Sequence, residues 1–366
     1  MIFVGYFPGI DFTDPDQFGR RIHTKKFIEN FPGEDYAESQ FIVGRGFNND
    51  DRAVQSLGFG TSLPAKIARD IYGLFLLFTI WLRSDEPVVV YTRDSPYLSK
   101  LIVSVLPQVN TIIEVNGLPQ TEADQNLVRR LYAAIRTHSR ARAELLIAVS
   151  DSIKKTLDIE RLNTPIHVVE NGVDTNLFEP TGSEQTEDNT LRICYVGGLQ
   201  EWQGIERMID VVNRINADVK FTLVGGSTDR QQEVLTLLRQ RGMDDEVSVV
   251  GRVDHATVPE YINDADVCFG PFCSSRYASP IKVYEYLSCG KPVIVLNDEG
   301  LESLDEYPGV VRLPSSTSDD EVASHVERIA AEAADNTDGR VLIMENHSWG
   351  AVTSTIHAHI MDKCAL

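Results

Sequence analysis

Short apolar runs bounded by turn residues alternate along this chain with longer stretches of helical spacing. In the first half, Phe3–Tyr6, Val88–Tyr91, Ile112–Val115 and Leu146–Val149 read as strands, and the helices between them include Gln125–Glu144. In the second half the strands fall at Arg192–Val196, Lys220–Val224, Val247–Val250, Val267–Phe269 and Pro292–Leu296. Near-continuous apolar strands separated by helices predict parallel sheets covered on both faces. With 366 residues the chain has room for two cores. It reads as α/β, with two doubly wound Rossmann-like domains facing across a cleft and the ligand at the carboxyl ends of the strands. The polar run 181–190 is a surface loop just inside the second domain.

Charge narrows the choice of partners. Lys and Arg number 34 against 54 Asp and Glu, a net charge of −20, which argues against general nucleic-acid binding. Only 10 of the 34 cations are lysine. High acid with few lysines resembles proteins of salt-loving organisms, although an acidic mesophile has the same look. The five cysteines, Cys194, Cys268, Cys273, Cys289 and Cys364, form no C-x-x-C pair and are expected to be free thiols in a reducing cytosol. Met1–Pro8 lacks the basic lead of a signal peptide and reads as the first strand, so a cytoplasmic location is expected. The uncharged run Ile71–Leu82 is too short for a bilayer core that needs about 20 residues. It is a buried helix or an interfacial one. Between Leu127 and Ala143 lie Arg129, Arg130, Arg136, Arg140 and Arg142 and no acid. Such a patch attracts anionic lipid headgroups or an acceptor phosphate, unless it is simply a solvated helix face.

The most informative stretch is Ser279-Pro-Ile-Lys-Val-Tyr-Glu-Tyr-Leu-Ser-Cys-Gly-Lys-Pro-Val-Ile294. Ser279 is a good N-cap, Pro280 suits the first helical position, and Gly290 can close the helix before a buried strand. A helix start is an anion site, and Lys282 adds a full charge in the first turn, where it opposes the helix dipole unless an anion sits between. Glu285, one turn on, can accept from a pair of sugar hydroxyls. Together they describe a nucleotide-diphosphate site. The segment resembles the donor-binding helix of retaining family 4 glycosyltransferases, which have the two-domain GT-B fold. Three further stretches agree in order and spacing: Val169–Phe178, Tyr195–Gly204 and Ala265–Pro271. The resemblance is close over roughly residues 145–300. It implies an acceptor-binding domain over 1–170, a donor-binding domain over 171–345, and a segment, 346–366, whose helix crosses back onto the first domain.

The resemblance also implies roles for particular residues. Gly197 and Gly198 admit the diphosphate, Ser279, Pro280, Ile281 and Lys282 hold it, and Glu285 anchors the ribose. Arg252 and Val253 lie against the base or diphosphate. Many relatives carry a glutamate at the position of Tyr277, where the N–H groups of Tyr277, Ala278 and Ser279 can meet the sugar instead. An arginine is usual at Gly198 and a lysine at Gln203, which leaves Lys282 as the main local cation, helped by Arg252 or Arg276. In the first domain, Asn116 stands where many relatives have a histidine, and Glu114 is the nearby candidate for acid–base work or else a satisfied pair. Arg93 is a candidate for acceptor contact, and the segment Phe7–Ile10 with Gly9 is expected to close over the acceptor. Asp264-Ala-Asp266 matches a metal signature of another transferase fold but sits between a helix and a strand, so it reads as structural.

The expected activity is transfer of a hexose from a nucleotide diphosphate sugar, a UDP-sugar first among them, to a glycan or polyprenyl-linked acceptor, with retention. No cofactor or metal is expected beyond the donor itself. A sugar-nucleotide epimerase and a non-catalytic sugar-nucleotide-binding subunit remain open. A dinucleotide dehydrogenase is disfavoured, because no G-x-G-x-x-G follows the first strand of either half.

Overall fold

The structure is a computed structural model. It describes residues 1–364 apart from 15–16, 48, 50, 61, 118–126, 161, 182–188, 273–278 and 333–336, and apart from the side chain of residue 18. The chain divides into two compact units, Met1–Asn171 with Trp349–Leu366, and Gly172–Ser348.

The first unit is built on seven parallel strands: β1 (Ile2–Asp11), β2 (Glu38–Arg45), β3 (Ala53–Ser56), β4 (Val88–Arg93), β5 (Val109–Val115), β6 (Leu145–Ala148) and β7 (Ile166–Val168). Their order is β3-β2-β1-β4-β5-β6-β7. Helices α1 (Phe18–Asn30), α2 (Leu63–Arg83), α3 (Leu98–Val103), α4 (Leu127–Arg142) and α5 (Asp151–Ile159) connect them. One face of the sheet packs Phe3, Phe7, Tyr91 and Ile147 under α1 and the C-terminal helix, and the other packs Val4, Tyr6, Val88 and Val90 under α2. The alternation of Phe3 and Val4, or Val89 and Val90, between these two cores is the period-2 geometry of a strand covered on both sides. The segment Phe7–Ile10, expected to be a loop, is the continuation of β1. Its pairing with β2 is irregular between Phe7 and Asp11, which is how an internal strand accommodates Pro8.

The second unit holds β8 (Leu191–Gly197), β9 (Val219–Gly225), β10 (Val247–Gly251), β11 (Val267–Phe272), β12 (Val293–Leu296) and β13 (Val310–Leu313), all parallel, in the order β10-β9-β8-β11-β12-β13. Its helices are α6 (Ile205–Val212), α7 (Thr228–Arg241), α8 (Val258–Asn263), α9 (Ile281–Ser288), α10 (Asp319–Glu332) and α11 (Thr337–His347). The final helix, α12 (Trp349–Cys364), belongs to the first unit. The order of strands reverses direction between β8 and β11. In doubly wound sheets that switch point, at the carboxyl ends, is where ligands bind.

Candidate functional site

At the switch point of the second unit the glycine loop after β8 lies near the start of α9. The helix begins at Ile281, one residue later than expected. Pro280 takes the N-cap position (φ −79°, ψ 37°) with no side-chain cap. Ser279 therefore does not cap the helix. Its buried Oγ has no hydrogen-bond partner among the described residues, an unusual condition for a buried hydroxyl. The far end closes as expected: Gly290 is left-handed (φ +72°), with Lys291 N–H donating to the Tyr286 carbonyl at 3.0 Å and Gly290 N–H to that of Leu287 at 2.9 Å.

Three ties hold α9 in place. Val196 N–H donates to the Tyr286 hydroxyl at 2.8 Å, and burial pushes that phenol well above its ordinary pKa, so it stays neutral. Ser288 Oγ donates to the Phe178 carbonyl at 2.5 Å. Arg340 reaches the carbonyls of Phe178 (3.0 Å) and Ser288, clamping the segment that enters this unit to the negative end of α9.

Lys282 Nζ donates to the Tyr195 hydroxyl at 2.8 Å. A Cβ on Gly197 would lie 2.7 Å from that Nζ and 2.6 Å from the hydroxyl, so glycine is what gives the lysine its place beside the loop. Gly225 is left-handed (φ +114°), and a Cβ there would lie 2.1 Å from the Gly197 carbonyl oxygen. Gly198 is different: a Cβ there makes only ordinary contacts, the nearest at 3.6 Å to Gln200. Gln203 is buried and uses its amide oxygen to accept from Gln200 N–H at 3.0 Å. Its side chain is spent on closing its own turn.

Glu285 is partly open, with 15% of its side chain exposed, and His255 Nε2 lies 3.5 Å from its Oε1. His255 follows β10 and rests edge-on against Phe178 (5.2 Å). Arg252, on the same connection, is exposed, and Val253 is half-buried. Gln231 on α7 donates to the carbonyls of Gly225 (3.4 Å) and Gly226 (3.2 Å), fixing the loop after β9. Tyr277 and Ala278, like Arg276 and Cys273, lie outside the described residues. Asp264 and Asp266 bind Arg192, through its guanidinium at 3.3 Å and its N–H at 2.8 Å respectively.

The first unit has its own polar cluster at the carboxyl ends of β4 and β5, where Arg93 and Glu114 are register partners. Glu114 is 2% exposed. It accepts from the Tyr91 hydroxyl and the Asn116 amide, Arg93 Nε is 3.3 Å away, and His23 Nε2 is 3.5 Å away. Burial pushes this carboxyl up, but its cationic and hydrogen-bonding neighbours outweigh that and hold it below its ordinary pKa. Burial lowers His23 to about 4, which leaves Arg93 as the permanent charge facing the carboxylate. A carboxylate buried, paired and held ionised in this way is a framework charge first. Asn116 donates to this carboxylate and Arg93 Nε lies beside it, while Arg93 Nη1 is buried with no hydrogen-bond partner among the described residues. Gly9 lies within β1 beside Tyr97, 3.3 Å from a constructed Cβ to the ring.

The arginines of α4 separate into two sets. Arg140 turns inward to Asp94 (2.6 Å) and Glu160 (2.8 Å), and Arg136 Nε lies 3.9 Å from Asp94. Lys100, fully buried, sits 3.7 Å from the same carboxylate, and burial lowers its pKa to about 8. Arg129, Arg130 and Arg142 remain exposed.

Comparison with known proteins agrees with both units. Residues 33–177 match the family model Glycosyltransferase Family 4, and residues 190–332 match Glycosyl transferases group 1. The chain thus carries the two family domains of a glycosyltransferase enzyme, and its fold is GT-B. Solved structures with this fold include sucrose-phosphate synthase from Thermosynechococcus elongatus (TM-score 0.73, 16% identity, 100% of this chain and 99% of that one). HepE from Anabaena, solved in complex with UDP, gives a TM-score of 0.70 at 14% identity over 99% of each chain. Among curated proteins, alpha-D-kanosaminyltransferase of Streptomyces kanamyceticus is 25% identical over 253 residues, 66% of this chain and 61% of that protein. D-inositol 3-phosphate glycosyltransferase of Xylanimonas cellulosilytica is 26% identical over 194 residues, 46% of each. The matched regions span about half to three-fifths of these relatives' length.

Proposed function

We propose that the chain transfers a hexose from a nucleotide diphosphate sugar, a UDP-sugar in the first instance, to a glycan or polyprenyl-linked acceptor, with retention. The observation that carries this reading is the meeting of Lys282, Tyr195 and Gly197 at the switch point, with Glu285 one turn further along α9. Lys282 and the start of α9 take the growing charge on the departing diphosphate, stabilisation that is stronger in the transition state than in the bound donor. Glu285, oriented by His255, accepts the ribose hydroxyls. Among the described residues no side chain here is placed as a nucleophile, and the reading is a front-face attack in which the diphosphate takes the acceptor proton. Orientation and leaving-group stabilisation supply the rate. HepE binding UDP supports the donor class.

A second reading, a subunit that binds the sugar nucleotide without turnover, draws on Gly198 and Gln203. Neither supplies the cation usual in relatives, and Gln203 is committed to its own turn. The acidic composition supports a high-salt setting. The exposed Arg129, Arg130 and Arg142 support peripheral contact with an anionic membrane, on its cytoplasmic face. The test is incubation with UDP- and GDP-hexoses and lipid-linked or free glycan acceptors in high salt, with the anomeric configuration of the product read by NMR. Transfer with retention supports the reading. Donor binding with no transfer to any acceptor favours the subunit, and acceptor-independent rearrangement of the sugar favours an epimerase.

A further inference from the structure

We infer that the outer face of α2, α3 and α4 docks the chain onto an anionic lipid surface, with apolar side chains entering the bilayer boundary and cations meeting the headgroup phosphates. The face lies on the first unit and is independent of the donor-site reading. α2 buries Gly73 and Leu77 and leaves its opposite side bare. Leu63, Ile67, Ile71, Phe75, Phe78 and Leu82 recur at three- and four-residue spacing and are between 40% and 64% exposed. α3 packs against α2 and α4 against α3. Both extend the apolar surface: Val105, just past α3, is 60% exposed, and Leu127 and Leu131 on α4 are 81% and 57% exposed. Scattered exposed apolar side chains need no explanation, whereas a run across three neighbouring helices marks an interaction surface.

Charge decides what fits it. Lys66 and Arg83 are exposed on α2, and Arg129, Arg130 and Arg142 on α4. Asp70 is the single acid in these three helices, and its carboxylate accepts from the N–H groups of Leu98 (2.8 Å) and Ser99 (2.9 Å) at the start of α3. In a chain of net charge −20, α2, α3 and α4 thus carry five exposed cations against one acid. A second copy joined through the same face would be isologous and would set these cations against one another. An anionic bilayer answers both features, since interfacial binding grows with buried apolar area and with attraction to acidic lipids. Among the described residues no helix is long and apolar enough to cross a membrane, so α2 lies on the surface.

The test is co-flotation of the full chain with vesicles of phosphatidylcholine alone, or with about a quarter phosphatidylglycerol. Wild type is expected to float on the order of tenfold more with the anionic vesicles. Arg129→Glu with Arg130→Glu removes that preference, and Ile71→Asp with Phe75→Asp removes binding to both vesicles. These positions are exposed, so thermal unfolding should be unchanged and serves as the folding control. Equal flotation of wild type and both double variants would overturn the inference, as would no flotation of the wild type. A dimer in light scattering that Ile71→Asp with Phe75→Asp dissolves, without lipid binding by the wild type, would assign the face to a second copy.

Discussion

Glu114 and Glu285 each lie near the carboxyl ends of a parallel sheet, and they end in opposite conditions. Glu114 is 2% exposed and surrounded by a phenol, an amide, a guanidinium and an imidazole. Glu285 is 15% exposed, and the contact recorded for its side chain is His255 at 3.5 Å. A buried charge costs stability unless neighbours pair it, so a saturated carboxylate belongs to the framework. An open one on a firmly tied helix is preorganised for a ligand. The difference sets a paired carboxylate in the first unit against a more open one in the second, and the proposed donor role rests on the open one.

The sharpest way to break that contrast is Glu114→Ala. It leaves the partly buried Arg93 without its partner and removes a buried, hydrogen-bonded carboxylate, and should cost on the order of 3–5 kcal/mol, read from urea unfolding. A loss below about 1 kcal/mol would mean that the cluster is not framework. Glu285→Ala should leave unfolding almost untouched and weaken nucleotide binding about a hundredfold, the value of two hydrogen bonds to a charged acceptor. His23 adds a pH signature to the framework side. Its folded pKa of about 4 lies below the ordinary 6.5, so the unfolded chain binds more protons in between. Stability is therefore full above pH 6.5 and falls by about 3 kcal/mol as pH drops through that window. His23→Gln should flatten this slope without altering nucleotide affinity at neutral pH. Gly197→Ala should push the Lys282 ammonium aside and cut nucleotide affinity about tenfold, and because the new Cβ also meets the buried Tyr195 ring it should cost on the order of 1–3 kcal/mol of stability. The smallest effect is a gain. At Gly198→Arg the new Cβ meets only ordinary van der Waals contacts, and diphosphate affinity should rise by about fivefold, measured by calorimetry.

The helix that carries the proposed donor residues was legible in the sequence because its signals are local. Lys282 and Glu285 share one short helix, and Gly290 ends it within the same stretch. Tyr195, Tyr286 and Arg340 carried no such signal. Their partners lie 87, 90 and 52 or more residues away, and only the fold brings them together. Strands β2 and β3 went unread because β2 has a short apolar centre, Phe41–Val43, within polar flanks, and β3 alternates Ala53-Val-Gln-Ser56 with one large apolar residue. Pro8 and Gly9 looked like a loop, whereas the irregular pairing in β1 absorbs them. Glu114 is the instructive case: its spacing from Asn116 was visible, but the Tyr91, Arg93 and His23 that occupy it come from β4 and α1. The basic run on α4 concealed a similar division, since Arg140 serves Asp94 and Glu160 inside the unit.

The central claim is that Glu285 and Lys282 form a nucleotide site on α9. Calorimetric titration of UDP and GDP into wild type, Glu285→Ala and Lys282→Ala in high salt tests it most directly, with thermal unfolding run on the same samples. The account predicts that wild type binds one nucleotide and that both variants bind it about a hundredfold more weakly with unchanged unfolding. Undiminished binding by Glu285→Ala and Lys282→Ala would contradict it.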